Sequence, residues 1–331
     1  MNKTEMAKKR VTMKDLAQAT DLTVPTISKI LNGKDNFCSA AKKEEVLRLA
    51  RKYDYKPNIG YRIMTGMETN IAAIIFSQNR KTFEEHCLHL FVALNRGLEQ
   101  RGYATYSAVM AFDAEVNLSK IRELETRGCR SFVFIGSPVG ERRIEKYLDD
   151  AGHQHVAFDY HESGRQFWPD EEGTIREYAK ILEEAGRRNF RLLCSRAFFE
   201  GRLLPLLSPG ERELFEKAAF FVESNSPTQF VDGQKAAAEI LRQTPDLQGL
   251  CCYTDTHALG AAYYLEKNGV KVGRDVWVFG LFNLPSVQYS FLPINSADFE
   301  LDRVAEMMLN QLQSANPFKT VVKPKIIRRS I

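Results

Sequence analysis

Residues 11–33 constrain this chain of 331 residues more than any other stretch, because they read as two short amphipathic helices meeting at a tight turn. Thr12 followed by Asp15 is a capping-box-like start. Met13, Leu16 and Ala19 then share one face of a first helix. Asp21-Leu22-Thr23 supplies the turn, and Thr23 can cap a second helix. Pro25 falls in that helix's first turn, where a missing N–H costs least. Ile27, Ile30 and Leu31 face inward at i, i+3, i+4, leaving Val24, Pro25, Thr26, Ser28 and Lys29 outward before Asn32-Gly33 ends the helix. A third helix is expected from about Ser39, with Val46, Leu47 and Ala50 as its apolar stripe. A pair of this kind offers the start of its second helix to base edges in the major groove of DNA. The plainer alternative is a three-helix packing unit that binds nothing.

Charge separates the two readings. Through Gly66 the chain has 14 basic and 7 acidic residues, a head of +7, while the whole chain carries only +4 and the remainder therefore −3. A basic head on a mildly acidic body suits neutralisation of phosphates at one end only.

Three stretches carry a family resemblance: Val11-Thr12-Met13-Lys14-Asp15-Leu16-Ala17, Thr26-Ile27-Ser28-Lys29-Ile30-Leu31-Asn32 and Tyr55-Lys56-Pro57-Asn58. In combination they resemble the DNA-binding head of the lactose-repressor (LacI/GalR) family of bacterial transcription regulators. The resemblance implies that Val24, Pro25 and Lys29 choose operator bases and that Thr26 and Ser28 contact phosphates, with Thr12 and Asn32 also on the DNA side. Pro25 brings no hydrogen bond to a base edge, so readout there is apolar, as with a thymine methyl. Lys29 suits guanine O6/N7, or a phosphate. Asn58-Ile59-Gly60-Tyr61-Arg62-Ile63-Met64 corresponds to the family's hinge helix, which pairs with its twin in the minor groove. Asn58, Tyr61 and Arg62 then become DNA contacts, and Met64 takes the wedge position. Tyr61 stands where a small alanine is usual, and Gly60 lowers helix propensity by about 1 kcal/mol. A plain linker is the alternative.

Some 265 residues remain, enough for a two-lobed α/β body. Ile71–Phe76 and Ser131–Ile135 are apolar runs typical of buried parallel strands. Strands near 104–109, 156–158, 191–194, 220–222, 249–253 and 276–280 alternate with helices near 85–101, 117–127, 141–151, 172–185, 209–218, 232–242 and 256–268. Two successive runs of this kind predict an all-α helix-turn-helix head joined to an α/β body of two doubly wound parallel-sheet lobes. Asp170-Glu171-Glu172-Gly173, the stretch Tyr253–Gly260 and Pro324–Ser330 resemble the family's periplasmic-binding-protein-like effector domain. That fold implies crossings between lobes near residues 164, 292 and 319. The expected organisation is a head over 1–57, a hinge helix over 58–66 and an effector-binding and dimerisation domain over 67–331. Lobe one spans about 67–164 and 293–318, and lobe two about 165–292 and 319–331. The last strand is followed by no heptads, so a homodimer is expected rather than a coiled-coil tetramer.

The resemblance implies an effector of carbohydrate type between the lobes, held by Phe91, Asp170, Arg212 and Asp255. Arg212 offers a planar fork for hydroxyl pairs or a carboxylate, and Asp255 an acceptor for hydroxyls. Each has a plainer role: a solvated helix residue for Arg212, a helix cap for Asp255 and Asp170, core for Phe91. Gly280-Leu281-Phe282 lacks a carboxylate usual there, and Ser77–Cys87 is longer and more polar than the family norm.

Other classes fit less well. No Gly-rich phosphate loop, nucleophile elbow or Walker motif is present, so no enzymatic activity and no cofactor are expected. His86 and His89, and His153 and His155, lack partners at metal spacing. His257 beside Asp255 has no nucleophile nearby in sequence. The six cysteines form no paired framework, and no apolar run approaches the ~20 residues of a membrane helix. Without an apolar leader, a cytoplasmic, nucleoid-associated protein with no membrane partner is expected. The expectation is a repressor on a pseudo-palindromic operator. Two alternatives are an effector-insensitive regulator and a solute-binding or enzymatic body with an incidental basic head.

Overall fold

The computed structural model describes residues 11–31, 38–55, 69–77, 85–159, 163–223, 228–314 and 316–330. The chain divides into two units, Met1–Thr69 and Asn70–Ile331.

The first unit holds α1 (Met13–Thr20), α2 (Val24–Leu31) and α3 (Ala40–Lys52). Local chemistry sets each boundary. Thr12 Oγ1 accepts from the Asp15 amide at 3.3 Å while the Thr12 amide donates to Asp15 Oδ2 at 2.8 Å, a full capping box. Asp21 closes α1 in the left-handed region, with φ of 54°. Thr23 Oγ1 accepts from the Thr26 amide, and Ser39 Oγ from the Lys42 amide, each at 3.4 Å. Leu16, Ile27, Ile30, Val46, Leu49 and Ala50 form the core. Leu49, not Leu47, completes the α3 stripe, and Leu31 is only half-buried. Each fully buried aliphatic contributes about 1.5–3 kcal/mol, which a head of this size needs.

The second unit is built on two six-stranded sheets. The first contains β1 (Ile71–Phe76), β2 (Ala104–Val109), β3 (Ser131–Ile135), β4 (Gln154–Phe158), β5 (Arg165–Pro169) and β11 (Phe318–Val322), in the order β11-β5-β4-β3-β1-β2. The second contains β6 (Phe190–Ser195), β7 (Ala219–Val222), β8 (Gly249–Cys252), β9 (Trp277–Leu281), β10 (Asn295–Asp298) and β12 (Lys325–Ile327), in the order β12-β10-β9-β8-β6-β7. All pairs are parallel except β10 with β12. The connecting helices are α4 (Glu85–Gln100), α5 (Ala114–Thr126), α6 (Glu141–Asp150), α7 (Glu171–Glu184), α8 (Pro209–Ala218), α9 (Gln229–Gln243), α10 (Asp255–Lys267), α11 (Pro285–Gln288) and α12 (Leu301–Gln311). Between β6 and α8 the chain makes one helical turn (Arg196–Phe198), a π-helical stretch (Phe199–Leu203) and a 3-10 turn (Leu204–Leu206).

The sheets divide the chain later than expected. Crossings follow β5, β10 and β11, so they fall just past Pro169, Asp298 and Val322 rather than near 164, 292 and 319. Strands β5 and β10 account for the shift. Arg165-Gln-Phe-Trp-Pro is no continuous apolar run, and Asn295-Ser-Ala-Asp is polar. Polar β10 is stable inside because its groups are paired: Asn295 Nδ2 donates to Ser330 Oγ at 3.0 Å, and Ser296 Oγ to Asp255 at 2.6 Å. Among the described residues no helix is long and apolar enough to cross a membrane.

Candidate functional site

Two places in the molecule can carry function. The first is the outward face of α2. Val24, Thr26 and Ser28 are half-buried and Pro25 and Lys29 exposed, so α2 offers apolar, hydroxyl and cationic groups on one side while Ile27 and Ile30 are buried. Thr12 is exposed at the start of α1, where its hydroxyl donates to Asp15 at 2.7 Å. Asn32, Asn58, Tyr61, Arg62 and Met64 lie outside the described residues, as does the hinge segment 58–66.

The second place lies at the carboxyl ends of strands from both sheets, where open α/β folds bind ligands. Asp159 follows β4 and Trp168 stands near the end of β5, both on the first lobe. Glu171 and Glu172 open α7 on the second lobe, and Tyr253 follows β8 there. Arg202, from the π-helical stretch after β6, sits among them with its side chain 12% exposed. Its Nη1 lies 2.9 Å from Glu171 Oε2 and 3.4 Å from Asp159 Oδ1, and its Nε donates to Glu172 Oε1. The guanidinium carbon stands 4.5 Å from the Trp168 ring centre and 5.5 Å from that of Phe198. Tyr253 donates to Glu171 Oε2 at 3.0 Å, with its ring 4.3 Å from Phe198. Burial pushes the Glu171 carboxyl up to about 8; the Arg202 guanidinium opposes the rise, and Asp159 and Glu172 add to it.

A second seam joins the lobes near the start of α4. Glu85 Oε2 accepts from Ser286 Oγ at 2.7 Å, and the His86 ring stacks on Phe282 at 4.0 Å.

The four residues expected to hold an effector do not gather in this cluster. Arg212 is exposed on α8, between charged neighbours. Asp255 is fully buried, accepting from the Leu284 amide at 2.7 Å and from Ser296 Oγ at 2.6 Å. Thr254, not Asp255, caps α10. Asp170 caps α7, accepting from the Gly173 amide at 3.0 Å. Phe91 is half-buried, 5.2 Å from Phe76 and packed on the core. Among the described residues, the cation buried in this cluster is Arg202, ten residues before Arg212. Its sequence signal is a single cation inside Phe198-Phe199-Glu200-Gly201-Arg202-Leu203-Leu204, a largely apolar run whose other charge is Glu200. His153 pairs with Glu125 and His155 with Asp149, each at 3.0 Å. No group of three or more His, Cys, Asp or Glu among the described residues is placed to hold a metal ion.

Comparison with known proteins resolves the family. Residues 146–331, more than half of the chain, match the model of the periplasmic binding protein-like domain, and residues 3–41 match that of the Cro/C1-type HTH DNA-binding domain. The chain belongs to the LacI/GalR family of regulators with a periplasmic-binding-protein-like domain. As a LacI/GalR chain it is 21% identical over 340 residues to the HTH-type transcriptional repressor PurR of Vibrio atlanticus, covering 96% of this chain and 98% of that one. It is 22% identical to the HTH-type transcriptional regulator TreR of Escherichia coli, covering 79% and 80%. The fold is that of the lac repressor dimer bound to operator and an anti-inducer, with a TM-score of 0.77 at 16% identity over 97% and 99% of the two chains. The named relatives are transcription regulators, not enzymes.

Proposed function

We propose that this LacI/GalR-family chain regulates transcription, as a repressor, by binding a pseudo-palindromic duplex operator as a homodimer, and that a small molecule between its lobes sets the affinity. The observation that carries the reading is the +7 head, whose α2 turns Pro25 and Lys29 to solvent over a buried Ile27–Ile30 face. Val24, Pro25 and Lys29 read base edges, while Thr12, Thr26, Ser28 and Asn32 hold phosphates and fix the register. Asn58, Tyr61, Arg62 and Met64 act in the minor groove beside the paired hinge. Asp170, Arg212, Asp255 and Phe91 remain the resemblance's effector set, and the Arg202 cluster is the stronger seat for ligand control. A carbohydrate effector is supported by relatives named for ribose and trehalose regulation and by the CelR–cellobiose complex. Dimerisation has a surface to use: Leu88 and Val92 lie exposed one turn apart on α4, with Tyr106, Phe112 and Val116 exposed on the same lobe. A protein that acts on an operator is expected in the cytoplasm, on the nucleoid.

The test is Lys29→Ala on a duplex selected by the protein itself. If Lys29 reads a base, its loss costs about 1–3 kcal/mol of affinity at each half-site and relaxes preference at one position there. A loss spread evenly over all sequences means that Lys29 holds a phosphate, and no loss at all removes α2 as the reading helix.

A further inference from the structure

The cleft between the lobes already contains a ligand-like group, and it comes from the chain itself. Arg202 is anchored on the second lobe, since Glu171 and Glu172 belong to α7 and Phe198 lies one turn before it. Its guanidinium nevertheless reaches two groups of the first lobe, Asp159 after β4 and Trp168 in β5. Aromatic faces and carboxylates are the surroundings in which cations are held when water is excluded. Three carboxylates face one guanidinium. With Arg202 withdrawn, two buried acids and Asp159 would face each other across the seam between the lobes with no cation among them. The irregular backbone after β6 is what brings the side chain here, with Phe198, Phe199 and Leu203 buried around it. A π-helical stretch of this kind often marks a functional position.

We propose that Arg202 is a built-in ligand of the cleft, a latch that holds lobe one to lobe two with no small molecule present. The proposal rests on the reading of the cleft as the regulatory site. It adds that any effector acts there against Arg202, either by displacing the guanidinium or by gripping the lobes beside it. A latch makes the closed arrangement the resting state, so the ligand's differential affinity for the two arrangements decides the response.

The experiment compares the full-length wild-type chain with Asp159→Asn and Arg202→Ala by amide hydrogen exchange, without DNA. Asp159→Asn removes the ionic arm to the first lobe and leaves both the Trp168 face and the Arg202–Glu171–Glu172 contacts of the second. The expected result is roughly tenfold faster exchange at amides bordering the cleft in both lobes, with α1–α3 and the centres of both sheets unchanged. In Arg202→Ala the same amides loosen, and guanidinium ion at about 10 mM restores their protection while leaving the wild type unaffected. Exchange in Asp159→Asn indistinguishable from wild type overturns the latch, because the ion pair that crosses to the first lobe would then hold nothing. Absence of guanidinium rescue in a folded Arg202→Ala chain overturns the ligand-like role. Should Arg202→Ala not fold, Asp159→Asn decides. The readout is independent of operator binding, so a chain that never retards DNA but loosens as described refutes the proposed function and keeps the latch.

Discussion

Raising the salt concentration from about 50 mM to about 200 mM weakens duplex binding by a factor on the order of 10³ or more. The expectation follows from where the charge lies. The head carries +7 and the remaining residues −3, so phosphate neutralisation falls to the head alone. A dimer brings two such heads to one site. With six to ten phosphates contacted, each releasing a condensed counterion, the logarithm of affinity falls with the logarithm of salt at a slope of about −5 to −9. Removing one phosphate-contacting lysine from each head makes the slope shallower by about two, since the dimer loses two contacts. Fluorescence anisotropy on one labelled duplex across a salt series measures both. A slope near zero contradicts a phosphate grip by the head, whatever the affinity in dilute buffer.

Asp255→Ala is expected to destabilise the body by about 2–5 kcal/mol, because it leaves two buried donors without their acceptor. Those donors are the Leu284 amide and Ser296 Oγ. Through them Asp255 ties the start of α10 to β10 and to the loop after β9, where Phe282 and Asn283 adopt φ of 84° and 47°. Gly280 completes the arrangement: a Cβ there would stand 2.1 Å from Asp255 Oδ1. Burial, opposed by the bonds from Ser296 and Leu284, raises the Asp255 carboxyl from an ordinary value near 4 to about 7. The sign follows from proton counting. Between those values the folded chain keeps a proton that the unfolded chain has released, so stability falls as pH rises from about 4 to about 7. Three pKa units amount to roughly 4 kcal/mol as an upper bound. Glu171, raised to about 8, adds a fall of the same sign up to that pH. Asp255→Asn therefore flattens the decline between pH 5 and 8 without abolishing it. Melting curves of the body at both pH values check this, and parallel declines in wild type and Asp255→Asn contradict an ionisable, buried Asp255.

The parts of the molecule legible from sequence are those fixed by local signals. The Thr12–Asp15 box, the Thr23 and Ser39 caps and the Ile27–Ile30 stripe all appear in the head, because each depends on residues within a turn or two. Apolar runs such as Ile71–Phe76 and Ser131–Ile135 form central strands for the same reason. Strands β5, β10, β11 and β12 and helix α12 were not visible that way. β10 is stabilised by distant side chains, Asp255 and Ser330, rather than by its own hydrophobicity. The cleft shows the same limit. Arg202 and Arg212 are equally cationic, and only the three-dimensional course of the 196–206 stretch turns one inward. Arg202 has Phe198 and Leu203 beside it, whereas Arg212 lies between Glu211 and Glu213 and stays in water. Asp170-Glu171-Glu172 shows the complementary case. The helix cap was readable at Asp170, but the partners that bury Glu171 and Glu172 come from residues 30 positions away.

The most direct measurement retains random or genomic duplexes on the purified full-length protein in dilute buffer and sequences what is held. The expected result is enrichment of an inverted repeat whose half-sites lie about one helical turn apart, 10–10.5 base pairs from centre to centre, with enrichment lost when salt is raised. Retention of no duplex, even in dilute buffer, contradicts the claim that paired amino-terminal heads grip DNA.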